Sequence, residues 1–314
     1  WTLTVEAFRA EIRYINVLVD RKYQANLFLR KQELTRATTT STTEISRNLR
    51  SWIPHDIPDW VDRKIHQPED LNTDGIDPIG MHIWVHDCIV QNADDSVAVK
   101  PGGRGEYETV LNGTIPIPCT RNITVENMIM SGFGASIGSV GPTKEHFCVD
   151  QVTFKNITMP GTGKGIYIKS NPSHDRCKNK EEYSTISNIV YDGIHMREPF
   201  WWAIWIGPQQ QHEPHSSQRN KCPLSYPLPG STHCPTQGCA IFENITLRNI
   251  RIDDPFISPG VILGNATNPM NNIFFDNITV NFAKGKPWHG RWPYTERSFP
   301  YRGTFQCKHA VGKC

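Results

Sequence analysis

The chain has 314 residues and a mass of 35.7 kDa, which is enough for one large domain with a sizeable apolar core. Its 33 Lys and Arg nearly balance its 31 Asp and Glu, and the net charge of +2 excludes the strong basic excess that is typical of nucleic-acid binders. Mean hydropathy is −0.47 and no run of 18 apolar residues occurs, so the sequence excludes a transmembrane helix.

The first predicted elements are short β-rich runs. Residues 1–5 and 10–17 both alternate apolar and polar side chains, which is typical of strands. The chain starts at Trp1 with neither an initiator methionine nor a signal peptide. We therefore expect an N-terminally truncated chain that begins inside a larger β structure.

Residues 21–69 do not share the pattern of the rest of the chain. They hold a helix-like patch at 23–36 and a Thr-rich tract at 37–43. A segment of this length without the surrounding pattern is unusual inside a compact domain. We predict an insertion that forms a loop or is poorly ordered.

From residue 83 onward a degenerate unit recurs, with two short runs rich in Val, Ile, Thr and Phe separated by turn residues. The first runs lie at 83–88, 122–128, 152–157, 189–194, 245–250 and 273–278, and the second runs at 96–100, 135–138, 165–169, 203–207 and 260–264. Repeated β units without intervening helical patterns favour a solenoid of the parallel β-helix type. A β-sandwich of short strands is the alternative. We expect one domain over residues 1–314, with a loop-rich tail at 283–314.

Three aspartates are the first candidate chemical group. Asp74 lies in the block Asn-Thr-Asp-Gly-Ile-Asp, and Asp94 and Asp95 follow twenty residues later. Since neighbouring coils stack about 4.8 Å apart, three carboxyl groups can share one patch. Glycoside hydrolysis needs such a set, with one protonated and one ionised carboxyl group. A Ca²⁺ site and a simple Asx turn remain open alternatives.

Two further blocks follow along the chain. Residues 132–139 read Gly-Phe-Gly-Ala-Ser-Ile-Gly-Ser, and residues 165–169 read Gly-Ile-Tyr-Ile-Lys. The glycines, including Gly134, allow close approach of a ligand to the backbone. Lys169 would place a cation one or two coils above the carboxylates.

Together these blocks resemble glycoside hydrolase family 28, the polygalacturonase family. The resemblance is strong from Leu71 to Lys169. It implies a right-handed parallel β-helix that is secreted to the cell wall and hydrolyses pectic polysaccharide with inversion at the anomeric carbon. It implies no cofactor and no metal, and we expect a monomer with no nucleic-acid or membrane partner.

The resemblance also implies roles for individual residues. Asp94 would donate the proton, while Asp74 and Asp95 would hold the attacking water. Lys169 would contact a sugar carboxylate. The residues expected to bind substrate are Asn72, Phe133, Gly134, Ser136, Tyr167 and Lys169.

Two positions depart from the family pattern. Phe133 replaces the histidine of a Gly-His-Gly block, and Tyr167 replaces the arginine of an Arg-Ile-Lys block. A phenyl ring cannot make the histidine's hydrogen bond, and a phenol cannot form a bidentate carboxylate clamp. The sugar bound there can therefore be a neutral one, such as rhamnose or xylose. A catalytically silent carbohydrate-binding β-helix is a second hypothesis. A pectate lyase is a third, although no matching arginine base is visible.

Aromatic residues and cysteines add further expectations. Trp202 and Trp205 are equally compatible with sugar platforms and with packing. Nine cysteines and six Asn-x-Ser/Thr sequons favour an oxidising, glycosylating compartment. Cys88 is predicted to be a buried free thiol. The pairs Cys148–Cys177 and Cys307–Cys314 are plausible disulfides, and some sequons in the repeated Asn-Ile-Thr runs are expected to be inaccessible.

Overall fold

A computed structural model describes the greater part of the chain. The described residues are 3–7, 9–18, 74–92, 94–103, 107–110, 113–116, 119–141, 147–171, 183–199, 201–210, 222, 226, 234–255, 258–281 and 305–313.

The described residues form twenty strands, and most of them pair in parallel with the strands of the neighbouring coil. The strands are β1 (Leu3–Ala7), β2 (Ala10–Arg13), β3 (Asn16–Leu18), β4 (Ile76–His86), β5 (Ile89–Gln91), β6 (Val97–Val99), β7 (Gly102–Gly103), β8 (Tyr107–Val110), β9 (Gly113–Pro116), β10 (Thr120–Met130), β11 (Ala135–Val140), β12 (Phe147–Pro160), β13 (Ile166–Ser170), β14 (Ser184–Arg197), β15 (Trp202–Pro208), β16 (Ala240–Asp253), β17 (Ser258–Leu263), β18 (Met270–Asn281), β19 (Phe305–Lys308) and β20 (Ala310–Lys313).

The strands form two parallel sheets that together make a right-handed β-helix. Sheet A contains β1, the start of β4, β6, β11, β13, β15, β17 and β19. Sheet B contains β2, β3, the end of β4, β5, β10, β12, β14, β16, β18 and β20. The parallel pairing confirms the predicted β-helix and excludes the β-sandwich, whose sheets are antiparallel.

Equivalent residues of successive coils stack into apolar ladders in the core. One ladder in sheet B consists of Ile83, Ile123, Val152, Ile189, Ile245 and Ile273. Every side chain in it is at most 1 % exposed. Strand alternation turns each second residue inward, so a sequence with branched aliphatic residues at those positions closes a continuous core.

Asparagines mark the bends of sheet B. Eight of them have φ between 52° and 56°, a left-handed conformation that Asn adopts more readily than most residues. Their side chains bond from coil to coil. For example, Asn156 Nδ2 donates to Asn127 Oδ1 at 2.8 Å, and Asn277 Nδ2 donates to Asn249 Oδ1 at 2.8 Å. The Asn156 and Asn277 amides of two Asn-Ile-Thr sequons are thus part of these ladders.

The N-terminal strands belong to the coil that precedes β4. β1 and β2 pair in register with β4, and β3 pairs with β5. The chain between residues 18 and 74 therefore connects two adjacent coils. The predicted insertion at 21–69 lies outside the described residues.

The C-terminal end continues the solenoid. β19 pairs with β17 in sheet A, and β20 pairs with β18 in sheet B. The last described part of the expected loop-rich tail is thus a further pair of short strands. β7 pairs antiparallel with β12 of sheet B, and β8 and β9 form an antiparallel hairpin outside the two sheets.

The cysteines confirm one expectation and correct another. Cys88 is 1 % exposed and free, as predicted. Cys148 pairs with Cys119, so the expected pair with Cys177 is wrong. Cys119 directly precedes β10 and Cys148 lies at the start of β12, where Thr120 is aligned with Val149, so this disulfide joins adjacent coils. Cys222 pairs with Cys234, and Cys314 lies outside the described residues.

Among the described residues, no helix is long and apolar enough to cross a membrane.

Candidate active site

The three predicted aspartates meet at one turn of the β-helix. Asp94 and Asp95 lie between β5 and β6, and Asp74 lies two residues before β4 on the neighbouring coil. The Gly75 amide donates to the Asp95 carbonyl at 2.8 Å, which fixes the two turns side by side. One carboxylate oxygen from each aspartate lies within 4.8 Å of the others. The structure therefore brings together the cluster that the spacing predicted.

Asn92 holds the turn that carries the aspartate pair. Its Nδ2 donates to the carbonyls of Asp94 at 2.9 Å and Asp95 at 2.7 Å, and its Oδ1 accepts from the Ser96 hydroxyl at 2.9 Å. The Asp95 amide donates to Asp94 Oδ1 at 2.9 Å. Asn92 was missed at the sequence level, where its place two residues before an Asp-Asp pair was the available signal.

Lys100 is a second functional side chain that the sequence did not single out. Its Nζ lies 2.8 Å from Asp74 Oδ2 and 3.7 Å from Asp77 Oδ1. Asp77 is 1 % exposed, and neither of its oxygens accepts a hydrogen bond in the described structure. Burial raises the pKa of Asp77 to about 8, and the charges of Asp74 and Asp95 add to the rise while Lys100 opposes it. Asp77 is thus a protonated neighbour of the cluster at mildly acidic pH.

Asp95 is the most enclosed carboxylate of the cluster. Its Oδ2 accepts a hydrogen bond from Lys169 Nζ, and its Oδ1 accepts one from the Ser136 hydroxyl at 2.7 Å. Burial acts to raise the pKa of Asp95, but the charges of Lys169 and Lys100 and these two bonds outweigh it, so the pKa lies below its usual value. Asp95 is therefore an ionised carboxylate at the pH of most enzymes.

Asp94 differs from its two neighbours in exposure. It is half-buried, whereas Asp74 is 5 % and Asp95 1 % exposed. Its side chain is the one of the three most open to a ligand.

The lysines bonded to the aspartate cluster argue against the Ca²⁺ site that the sequence left as an alternative. Lys100 bonds to Asp74, and Lys169 bonds to Asp95. Two ammonium groups already neutralise the oxygens that a hard cation would need as ligands. The cluster is therefore better suited to proton chemistry than to metal binding.

The Gly-Phe-Gly turn has a structural reason for its glycines. Gly132 and Gly134 have φ of 56° and 62°. A Cβ on Gly134 would collide with the Gly165 carbonyl oxygen, and one on Gly132 would collide with the backbone carbonyl oxygen of Asp94. The close approach at Gly134 is thus to the backbone of the next coil. Phe133 is half-buried, and its amide donates to the Asp94 carbonyl at 2.8 Å.

Tyr167 is buried, whereas the sequence predicted that it contacts the substrate. It is 2 % exposed, its hydroxyl donates to the Gln210 carbonyl at 3.1 Å, and it accepts from the Gln210 amide at 2.8 Å. The phenol is saturated by backbone groups 43 residues away in sequence. The prediction that Tyr167 hydrogen-bonds to or stacks on a sugar is therefore corrected: it anchors a loop below the surface.

The tryptophans pack rather than form an open platform. Trp202 and Trp205 are fully buried, and Trp205 Nε1 donates to the Pro208 carbonyl at 2.9 Å. Of the two roles that the sequence left equally possible, sugar platform and packing, the structure therefore supports packing. Asn72, expected to bind substrate, lies outside the described residues.

The family model for glycosyl hydrolases family 28 matches residues 61–223, which is more than half of the chain. The chain belongs to this family. Its three aspartates, Ser136 and Lys169 lie within the matched segment, as do both departures from the family pattern at Phe133 and Tyr167.

The chain is similar to family 28 proteins that are named for different activities. It is 26 % identical over 172 residues to "Probable rhamnogalacturonase E" of Aspergillus flavus, covering 49 % of this chain and 34 % of that protein. It is 36 % identical over 118 residues to an endo-polygalacturonase of Pectobacterium carotovorum, covering 37 % of this chain and 25 % of that protein. The chain thus aligns with a quarter to a third of the length of these curated relatives.

Among solved structures, endopolygalacturonase I of Stereum purpureum matches with a TM-score of 0.49 and 21 % identity, covering 81 % of this chain and 58 % of that one.

Proposed function

We propose that this chain is a glycosidase that hydrolyses a pectin-like polysaccharide. The observation that carries the proposal is the cluster of Asp74, Asp94 and Asp95, with a lysine bonded to each of the two more buried members. Membership of family 28 supports the same conclusion. The disulfides and the sequons support secretion as part of the proposal.

In the proposed mechanism one carboxyl group acts as the acid and the other two orient the attacking water. Asp94, the most exposed, protonates the leaving glycosidic oxygen. Asp74 and Asp95 accept hydrogen bonds from a water molecule and orient it toward the anomeric carbon. Lys169 helps to keep Asp95 ionised, because its ammonium group favours the charged form of the carboxylate it bonds, and Lys100 donates a hydrogen bond to Asp74. Activity is expected in mild acid, because this mechanism needs one protonated carboxyl group beside ionised ones.

Inversion at the anomeric carbon is the stereochemistry that the family resemblance implies. The nearest carboxylate oxygens lie within 4.8 Å, closer to the ~5–5.5 Å that is typical of retaining pairs than to the ~6.5–9.5 Å of inverting ones. The inverting assignment therefore rests on the family and not on this distance. ¹H NMR of the first anomer released tests it, and an anomer of retained configuration would refute it.

The sugar is proposed to include a neutral or substituted residue. Neither Phe133 nor Tyr167 supplies a cation to the site, and Tyr167 is buried. Lys169, the cation of the third block, is 5 % exposed and bonded to Asp95. A plain polygalacturonate would thus find fewer exposed positive charges here than the family pattern provides.

A reducing-sugar assay on polygalacturonate, rhamnogalacturonan and xylogalacturonan tests the proposed function. We expect product from at least one of the two substituted polymers. Asp94→Asn should lower the turnover rate by about 10²–10⁴-fold, the usual contribution of a general acid. Asp276→Asn, which changes an exposed aspartate on β18, is the matched control.

Two outcomes would contradict the proposal. Binding of a polymer without product from any of the three would support the carbohydrate-binding alternative, which the departures at Phe133 and Tyr167 motivate. An unchanged rate in Asp94→Asn would reject Asp94 as the acid.

A further inference from the structure

Lys164 is a buried lysine that the proposed mechanism does not use. It lies in the turn between β12 and β13 and is 0 % exposed. Its Nζ makes no hydrogen bond in the described part of the chain. Burial of a charged ammonium group without a hydrogen-bond partner costs several kcal/mol and favours the neutral amine, so a charged Lys164 needs compensation from its surroundings.

Three aromatic rings surround this ammonium group. Nζ lies 3.9 Å from the centroid of Tyr167, 5.2 Å from that of Phe133 and 5.8 Å from that of Trp205. All three distances are within the ~6 Å at which a ring face attracts a cation. We call Phe133, Tyr167 and Trp205 the aromatic box. It offers the electrostatic compensation that hydrogen bonds do not.

The sheet register explains why the aromatic box forms. Tyr167 and Trp205 are aligned on neighbouring strands β13 and β15. Phe133 approaches from the turn before β11, and its ring lies edge-on to Tyr167 at 6.4 Å. Two of the three rings are thus the two departures from the family pattern, and both line the same lysine.

Several charged or titratable groups face Lys164. Burial lowers its pKa well below the usual value and the charge of Lys169 lowers it further, while Asp95 and Asp94 act to raise it. The Tyr167 phenol, whose pKa burial raises well above its usual value, stays neutral. The aromatic box adds an attraction that favours the charged lysine. Lys164 is therefore electrostatically connected to the aspartate pair without touching it.

We propose that Lys164 is a positioning residue whose ammonium group, held in the aromatic box, supplies positive charge behind Asp94 and Asp95 that neither Phe133 nor Tyr167 supplies. The proposal rests on the proposed function for its effect on turnover. The effect of the Lys164 charge on the pKa values of Asp94 and Asp95 can be measured without any turnover.

The direct test is a titration of the aspartate carboxyl groups in Lys164→Met. Carboxyl ¹³C NMR follows the Asp94–Asp95 pair, and spectra of Asp94→Asn and Asp95→Asn assign the signals. Removing a cation should raise the apparent pKa values of the pair by about one pH unit, as expected for a unit charge at an effective dielectric constant near 20. Unchanged titration curves would overturn the proposal, because Lys164 would then be uncharged or electrostatically remote.

The second readout is the pH profile of turnover. The acidic limb for Lys164→Met should move to higher pH by the same amount as the NMR titration, whereas a merely structural role would lower the rate at every pH. Lys164→Arg should restore the wild-type limb, since it keeps the charge. If the carboxyl groups shift but no substrate is turned over, the proposed function fails and the electrostatic role stands.

Phe133→Leu is a milder variant that keeps Lys164. It removes one wall of the aromatic box and should shift the carboxyl titration in the same direction as Lys164→Met, by less. A shift in the opposite direction would contradict the role given to the aromatic box. This variant also covers the case in which Lys164→Met does not fold.

Discussion

Lys164 and Lys169 are two buried lysines on one short stretch of chain with opposite surroundings. Lys169 bonds to Asp95, while Lys164 has three ring faces around it and no hydrogen-bond partner in the described structure. Tyr167 lies between them in sequence, and its ring centroid is 4.4 Å from Lys169 Nζ and 3.9 Å from Lys164 Nζ.

The difference between the two lysines shows how the β-helix handles buried charge. An ion pair needs a partner on the same side of the sheet at the right coil, and the stacking of coils brings Asp95 to Lys169. Where no carboxylate is available, aromatic residues in register take its place. Removing one side chain should therefore have very different consequences at the two sites.

The largest expected effect is that of Lys169→Met. It leaves the buried Asp95 carboxylate without its cation, which should lower the free energy of unfolding by about 3–5 kcal/mol. Turnover should fall by about 10²-fold or more, because the pKa of Asp95 rises when the lysine charge is lost. Denaturant unfolding and the rate assay measure the two effects.

Lys155→Met is the matched control for that experiment. Lys155 pairs with Glu126 at 3.4 Å on the surface, and its side chain is 58 % exposed. The unfolding free energy should change by less than about 1 kcal/mol. Equal losses in the two variants would remove the distinction between buried and exposed lysines.

A buried acid without a hydrogen-bond partner gives the next largest effect. In the folded protein the pKa of Asp77 is about 8, whereas an unfolded aspartate titrates near 4. The folded state therefore binds more protons between these pH values, and stability falls as pH rises from about 4 to 8. Asp77→Asn should remove this loss, so the variant should gain a few kcal/mol relative to wild type at pH 8 but little at pH 4.

Asp192 should affect the pH dependence of stability in the direction opposite to Asp77, and Asp192→Asn tests this. Hydrogen bonds from Asn249 and Arg248 hold the pKa of Asp192 below its usual value, so its contribution is present above about pH 4 and is lost as pH falls. Thermal unfolding between pH 3 and pH 8 compares the two variants. If Asp77→Asn shows the same pH dependence as wild type, the buried carboxyl group is not protonated as described.

The fold and the aspartate cluster could be predicted from the sequence for a simple reason. The period of two in the apolar runs fixes which side chains point into the core, and the Asp blocks lie near one coil apart. Ile166 and Ile168 were therefore predictable core residues, with Tyr167 on the other face.

The rest of the site depends on contacts between distant parts of the chain. Gln210 covers Tyr167 from 43 residues away, and nothing in the Tyr167 block indicates this. Lys100 meets Asp74 and Lys164 meets Trp205 only because the coils stack in one particular register. Loops of unequal length between the coils hide that register in the sequence. Sequence spacing alone could not show that the two aromatic departures surround a lysine.

The smallest expected effect is that of Ser136→Ala, which removes one of the two side-chain hydrogen bonds to Asp95. Ser136→Ala removes the 2.7 Å hydrogen bond to Asp95 Oδ1 but leaves Lys169 in place. The unfolding free energy should fall by about 1–2 kcal/mol, since a hydrogen bond to a charged group is lost. The pKa of Asp95 should rise, because that bond favours the ionised form, and the acidic limb of the turnover profile should move to higher pH.

Ser187→Ala removes an equivalent bond away from the site, where Ser187 donates to Asp150 Oδ1 at 2.8 Å in sheet B. It should cost less stability, because that pair is only partly buried, and leave the pH profile of turnover unchanged. Ser136 and Tyr167, whose ring contacts Lys164, are aligned on neighbouring strands. The shift of the pH profile of turnover in Ser136→Ala therefore gives a value with which the shift in Lys164→Met can be compared. Ser136→Ala should shift the titration of Asp95, to which Ser136 bonds, whereas Lys164→Met should shift the titration of both Asp94 and Asp95.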